Sequence, residues 1–190
     1  MRDEKWLFLK LDEVWDNYFS DVPQDNDVII TWGRRARNRL GSIKQASNSK
    51  LKTLSNQKPS KSKIKKLNSN SKSVRDESYS DKFQSLNSDC HPVTIITINS
   101  LFKDENIPEY VVIGTIAHEL AHYAHGFHSP LEQRFKTPHA GGVVRAELKI
   151  RGLGDIEKES KEWLKKNWQS YLISNFPPKP RKKRRILRWI

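Results

Sequence analysis

His118-Glu119-Leu120-Ala121-His122 sets two imidazoles four residues apart with a carboxylate directly after the first. In a helix, positions i and i+4 share one face, so both rings can hold a single ion while Glu119 reaches that ion's water as a base. The helix the motif needs is written into the preceding run, Pro108-Glu109-Tyr110-Val111-Val112-Ile113-Gly114-Thr115-Ile116-Ala117. Its proline suits a helix start and its apolar residues recur at roughly helical spacing. A pattern with three fixed positions also arises by chance, as a polar pair on an ordinary helix. That reading leaves histidines and a glutamate without a partner on an otherwise apolar helix, which is the costlier arrangement.

A catalytic zinc takes three protein ligands and keeps a fourth position open. Four downstream residues offer the third ligand: His125, His128, His139 and Glu147. His125 sits one turn beyond the first two histidines on roughly the same face, a position suited to a cleft wall or to the helix end before Gly126. His128 follows His122 at the distance that metzincin metalloproteases use. Those enzymes turn sharply at a glycine three residues after their second histidine, where this chain has His125, and Gly126 comes one place late.

The stretch Val28 to Ser42 (VIITWGRRARNRLGS), then Val93 to Asn99 (VTIITIN), the motif helix, and Thr137-Pro138-His139 before Gly141-Gly142 together resemble a SprT-like zinc metalloprotease domain. The resemblance covers roughly residues 25 to 155, and only the motif helix is highly specific. It implies one catalytic zinc on His118, His122 and His139, with Glu119 as the catalytic residue. It also implies a minimal zincin-like α+β fold: a small mixed or antiparallel sheet against helices, with the zinc site on the motif helix. His128 and Glu147 stay as alternatives. Glu147 would serve either as third ligand, as in gluzincins, or as a group orienting a zinc-bound histidine. Many members of the family add a cysteine-rich zinc ribbon; the only cysteine here is Cys90, so one chain cannot build a four-cysteine site.

Around the motif, the pattern predicts one domain over residues 1–172 and a basic tail over 173–190. Apolar residues three and four apart from Trp6 to Phe19 predict an amphipathic first helix ended by Asp21-Val22-Pro23. Val28–Trp32 reads as a short strand, Leu40-Gly41-Ser42-Ile43 as the turn into a paired strand, and the β-branched run Val93–Ile98 as another strand. Residues 46–89 are dominated by Ser, Asn, Lys and Gln with few apolar positions, the composition of a basic low-complexity insertion. A helix is expected from Gly141 to Ile150, a break at Gly152-Leu153-Gly154, and a stronger helix from Asp155 to Tyr171 packing through Ile156, Trp163, Leu164 and Trp168.

The net charge is +13 and unevenly spread, with no acidic residue from Arg34 through Arg75 and a run Arg181-Lys182-Lys183-Arg184-Arg185 near the end. Such fields attract a polyanion by counterion release with little sequence selectivity. Candidate nucleic-acid contacts are Arg34, Arg35, Arg37, Arg39, Lys182, Lys183, Arg184 and Arg185, with generic solubility as the competing reading. Trp32 suits either base stacking or the core. One cysteine excludes an internal disulfide framework and fits a reducing compartment. The charged N-terminus and the lack of a long apolar run favour a cytoplasmic protein, nucleoid-associated or nuclear if directed to DNA.

The expected chemistry is peptide-bond hydrolysis at zinc with Glu119 moving the proton. Tyr123 and His125 are candidate oxyanion stabilisers. SprT-like enzymes include proteases that digest proteins attached to DNA, so the resemblance implies a protein or peptide substrate and DNA, single-stranded or duplex, as partners, for a chain taken as a monomer. The alternative is a non-catalytic nucleic-acid-binding protein whose zinc only stabilises the fold; a peptidase with a single dedicated partner is a third reading.

Overall fold

The computed structural model describes residues 1–46 and 92–176. Asp3 starts α1 (Glu4–Tyr18): its side chain accepts a hydrogen bond from the Trp6 backbone N–H at 2.7 Å, satisfying a donor that a helix start leaves free. Leu7, Leu11 and Val14 form its buried face, and Phe19 closes it.

Three strands, β1 (Val28–Trp32), β2 (Gly41–Ala46) and β3 (Val93–Ile98), form a mixed sheet in the order β1-β3-β2. The central β3 runs parallel to β1, from Val28↔Thr94 to Trp32↔Ile98, and antiparallel to β2, from Gly41↔Ile98 to Ala46↔Val93. Val93, Thr94, Ile96 and Ile98 are buried, as suits a β-branched run with partners on both edges. Buried Thr94 is satisfied: its hydroxyl donates to the His128 carbonyl at 2.8 Å and accepts from Asn26 Nδ2 at 2.9 Å. The turn expected over Leu40-Gly41-Ser42-Ile43 is a correction. Strand begins at Gly41, and its partner is β3, because the most apolar run takes the centre and separates β1 from β2.

The motif lies on α2 (Glu109–Ala124), which packs on β2 and β3 and is flanked by α1, α3 (Val143–Ile150) and α4 (Gly154–Asn175). Most of α2 is buried, so it reads as apolar nearly all round and not as a surface stripe. Gly114 lets α4 come close: a Cβ there would stand 2.6 Å from Ser160 Oγ, which itself donates to the Tyr110 carbonyl at 2.9 Å. Between α3 and α4 the chain breaks at Gly152, whose φ of 79° is open to glycine, and buried Leu153 pins the corner. Trp168 and Leu172 carry α4 into the core, with Ile156, Trp163 and Leu164 packed against it.

The architecture is mixed α+β, a small three-stranded sheet with four α-helices among the described residues. Helix α4 runs to Asn175, past the boundary expected at 172, since Tyr171 and Leu172 still pack inward. All but the first residue of the basic segment 46–89 lies outside the described residues, as do Lys182, Lys183, Arg184 and Arg185. Among the described residues no helix is long and apolar enough to cross a membrane.

Candidate metal centre

His118 and His122 project from α2 with ring centroids 4.8 Å apart and their Nε2 atoms 3.2 Å apart. Beyond α2 the chain turns at Gly126, which has a φ of 80° and no room for a Cβ: that atom would lie 2.4 Å from the Glu132 carbonyl oxygen. The Phe127 N–H bonds the His122 carbonyl at 2.9 Å, and the Arg134 N–H bonds the His125 carbonyl at 3.0 Å, folding the loop back over the helix end. That loop returns His139, just before the turn Ala140–Gly142, to ring distances of 5.4 Å from His118 and 4.6 Å from His122. One ligand nitrogen from each of the three histidines lies within 4.8 Å of the others.

Three convergent imidazoles suit zinc chemically. Tetrahedral zinc with Zn–N bonds of about 2.0–2.1 Å sets its nitrogens about 3.3–3.4 Å apart. The His118–His122 spacing of 3.2 Å already matches that edge. Desolvation, reinforced by neighbouring histidines, pushes the His118 imidazole down to about 4 and that of His122 down to about 3. Both rings are therefore neutral at ordinary pH, the state a metal ligand requires. His122 is buried and His118 half-buried, while His139 is exposed and completes the cluster from the solvent side.

Glu119 is 6% exposed, and burial pushes its carboxyl up to about 7 against the opposing pull of Arg39. Gly41 of β2 explains why the carboxylate fits between helix and sheet: a Cβ there would be 2.6 Å from Glu119 Oε1 and 2.9 Å from Thr115 Cγ2. A glycine at this edge leaves the carboxylate its space.

The structure distributes the other sequence candidates. His128 contributes its backbone carbonyl to Thr94 and stands outside the histidine cluster. Glu147 is also outside it: Oε2 lies 3.3 Å from His125 Nε2 and Oε1 accepts from Arg151 Nε at 2.8 Å. Helix α3 does fold back, as its orienting role required, but the histidine it meets is His125 and not a member of the cluster. His125 caps α2 and is buried, and Tyr123 is a core residue whose hydroxyl donates to Asn26 Oδ1 at 2.8 Å. The Tyr123 hydroxyl is therefore already engaged inside the core. Trp32 is half-buried, donates from Nε1 to the Asp3 carbonyl at 3.1 Å and carries the Lys103 ammonium over its ring.

Arg34, Arg35, Arg37 and Arg39 are exposed on the β1–β2 loop, and that loop is fixed. Buried Asn99 donates from Nδ2 to the carbonyls of Ala36 at 2.7 Å and Arg39 at 2.8 Å, its backbone N–H bonds the Leu40 carbonyl at 2.8 Å, and Trp168 Nε1 donates to the Arg37 carbonyl at 2.9 Å. Sequence reasoning had no signal for Asn99 as the clamp, for Gly41 against Glu119 or for Arg39 beside it, because all three depend on sheet register. Comparison with family models, curated proteins and solved structures found no match for this chain.

Proposed function

We propose that this chain is a zinc-dependent metallopeptidase of SprT-like type, in which Glu119 acts as general base and general acid at a centre held by His118, His122 and His139. The observation that carries this reading is the convergence of the three imidazoles beside a buried carboxylate. When bound, zinc supplies a Lewis acid that lowers the pKa of a water molecule and polarises the peptide carbonyl. The Glu119 carboxylate takes up the proton released in the attack and hands it to the departing amide nitrogen, so one group serves both halves of the hydrolysis. Burial raises this carboxyl to about 7 in the metal-free protein, and a bound dication favours its charged form, the state in which it can accept a proton. A purely structural zinc site, the binding-module alternative, has no use for that carboxylate.

The arginine loop supports substrates that are bound to DNA. Four exposed arginines on a clamped loop, of which Arg37 already donates to the Phe176 carbonyl at 3.1 Å, offer phosphate a basic surface, and Arg39 is near enough to Glu119 to draw its pKa down. A polyanion held there would lie on the Arg39 side of Glu119 and bring its attached protein with it.

The test is zinc content by elemental analysis together with cleavage of a DNA-bound protein, with and without single-stranded DNA, for wild type, Glu119→Gln and His139→Ala. One zinc per chain, DNA-stimulated cleavage lost in Glu119→Gln with zinc kept, and zinc lost in His139→Ala are expected. Zinc with no Glu119-dependent cleavage of any protein substrate would overturn the enzyme in favour of a binding protein. Zinc retained by His139→Ala would redirect the ligand assignment.

A further inference from the structure

The histidines of the cluster come from two separate pieces of chain, His118 and His122 from α2 and His139 from the loop that leads into α3. Something must hold those pieces in register. Val144 and Leu148 bury the apolar face of α3, and the hydrophobic effect that drives this burial is non-directional. Among the described residues a polar side-chain contact joins the two helices: His125, at the C-terminal end of α2, meets Glu147 of α3 at 3.3 Å. His125 is 1% exposed, and the Phe135 ring lies edge-on to it at 4.8 Å, so the same imidazole also supports the loop that carries His139.

Glu147 is fixed from its other side as well. Arg151 donates from Nε to Glu147 Oε1 at 2.8 Å, sends Nη1 to the Tyr18 carbonyl at 2.7 Å, is paired with Asp21, and lies over the Phe19 ring at 4.4 Å. A chain of contacts thus runs from the end of α1 through Arg151 and Glu147 to His125.

We propose that the His125–Glu147 pair is a positioning device for the metal centre: it locks α3 onto the end of α2 and thereby sets His139 in reach of the ion that His118 and His122 hold. This rests on the metal-centre reading. Neither residue touches the ion. Each acts through the geometry of His139, one step further from the ion than the direct hydrogen-bond partners of a metal-bound histidine, whose removal weakens binding about 10–100-fold, so the lower end of that range is expected.

The experiment measures zinc affinity by chelator competition, and the visible spectrum of the cobalt(II)-substituted protein, for wild type, Glu147→Gln, Glu147→Ala and the control Asp21→Asn. Asp21→Asn takes away the charge opposite Arg151, which keeps its bonds to the Tyr18 carbonyl and to Glu147, so His125–Glu147 stays intact. Expected are a zinc Kd raised at least about tenfold in Glu147→Ala, a smaller rise in Glu147→Gln, and a cobalt band altered in shape or intensity in both, with Asp21→Asn within about twofold of wild type. Near-UV circular dichroism reports folding, and Glu147→Gln keeps the test decisive if the alanine variant does not fold. Both Glu147 variants binding zinc as wild type does, with an unchanged cobalt spectrum, would overturn the proposal while leaving the metal centre standing. Wild type that binds no zinc would overturn the metal centre itself and this proposal with it.

Discussion

Replacing Glu119 by glutamine should stabilise the metal-free protein while abolishing hydrolysis. The carboxyl is nearly buried, and desolvation lifts it from 4.5 to about 7. Below pH about 4.5 it is protonated in both folded and unfolded chains and carries no penalty. As the pH rises toward 7 the unfolded chain ionises first and binds fewer protons than the folded one, so stability falls; above 7 the loss is complete. At about 1.4 kcal/mol for each pH unit, the full loss is about 3 kcal/mol. Glutamine keeps the volume and cannot ionise. Urea unfolding of chelator-treated proteins should therefore give matching stabilities at pH 4.5 and an advantage of about 3 kcal/mol for Glu119→Gln at pH 8.5. Adding zinc should narrow the gap, because a dication beside the carboxylate favours its charged form. Identical urea midpoints for the two metal-free proteins from pH 4.5 to 8.5 would refute the argument, since they would mean that the folded protein hydrates Glu119 as well as the unfolded chain does.

Gly41→Ala should displace the Glu119 carboxylate, because the new methyl would stand 2.6 Å from its Oε1; peptidase activity should fall at least about tenfold with zinc content unchanged, and retained activity would show that the strand yields instead. The metal-free protein should also lose stability as the pH falls from about 6.5 toward 4, since the unfolded chain protonates His118 and His122 while the folded one, at about 4 and 3, does not. Acid unfolding of His122→Asn, with one such group removed, should be shallower over that range; an unchanged slope would contradict it.

The elements with strong local periods were legible in the sequence: α1, β1, β3, the motif helix and α4 all lie where their apolar spacing put them. The histidine cluster was legible because the i, i+4 pair is local and the Thr137-Pro138-His139 stretch carries its own resemblance. Sheet order was not. Whether Gly41–Ala46 pairs with β1 or β3 depends on contacts across residues 47–92, and no short window records it. The contact made by Glu147 was half legible. That it would face a histidine follows from α3 folding back, but which histidine depends on where α2 ends, and His125 lies at that end.

The same register shows why the sequence can place so many residues between β2 and β3. Ala46 pairs with Val93, so the chain leaves β2 and re-enters β3 at facing positions. Strands β2 and β3 are therefore the two arms of a hairpin. Gly41, the residue against Glu119, is at the other end of β2, five residues away and about 17 Å along the strand. Length added at the far end changes neither the pairing nor the distance from Gly41 to the carboxylate; it costs closure entropy, which grows only with the logarithm of loop length. Replacing residues 47–92 with a short glycine-containing turn should accordingly retain one zinc per chain and raise stability by about 2 kcal/mol in urea unfolding. A shortened chain that fails to fold, or folds without zinc, would mean that the hairpin arms need that segment for more than their connection.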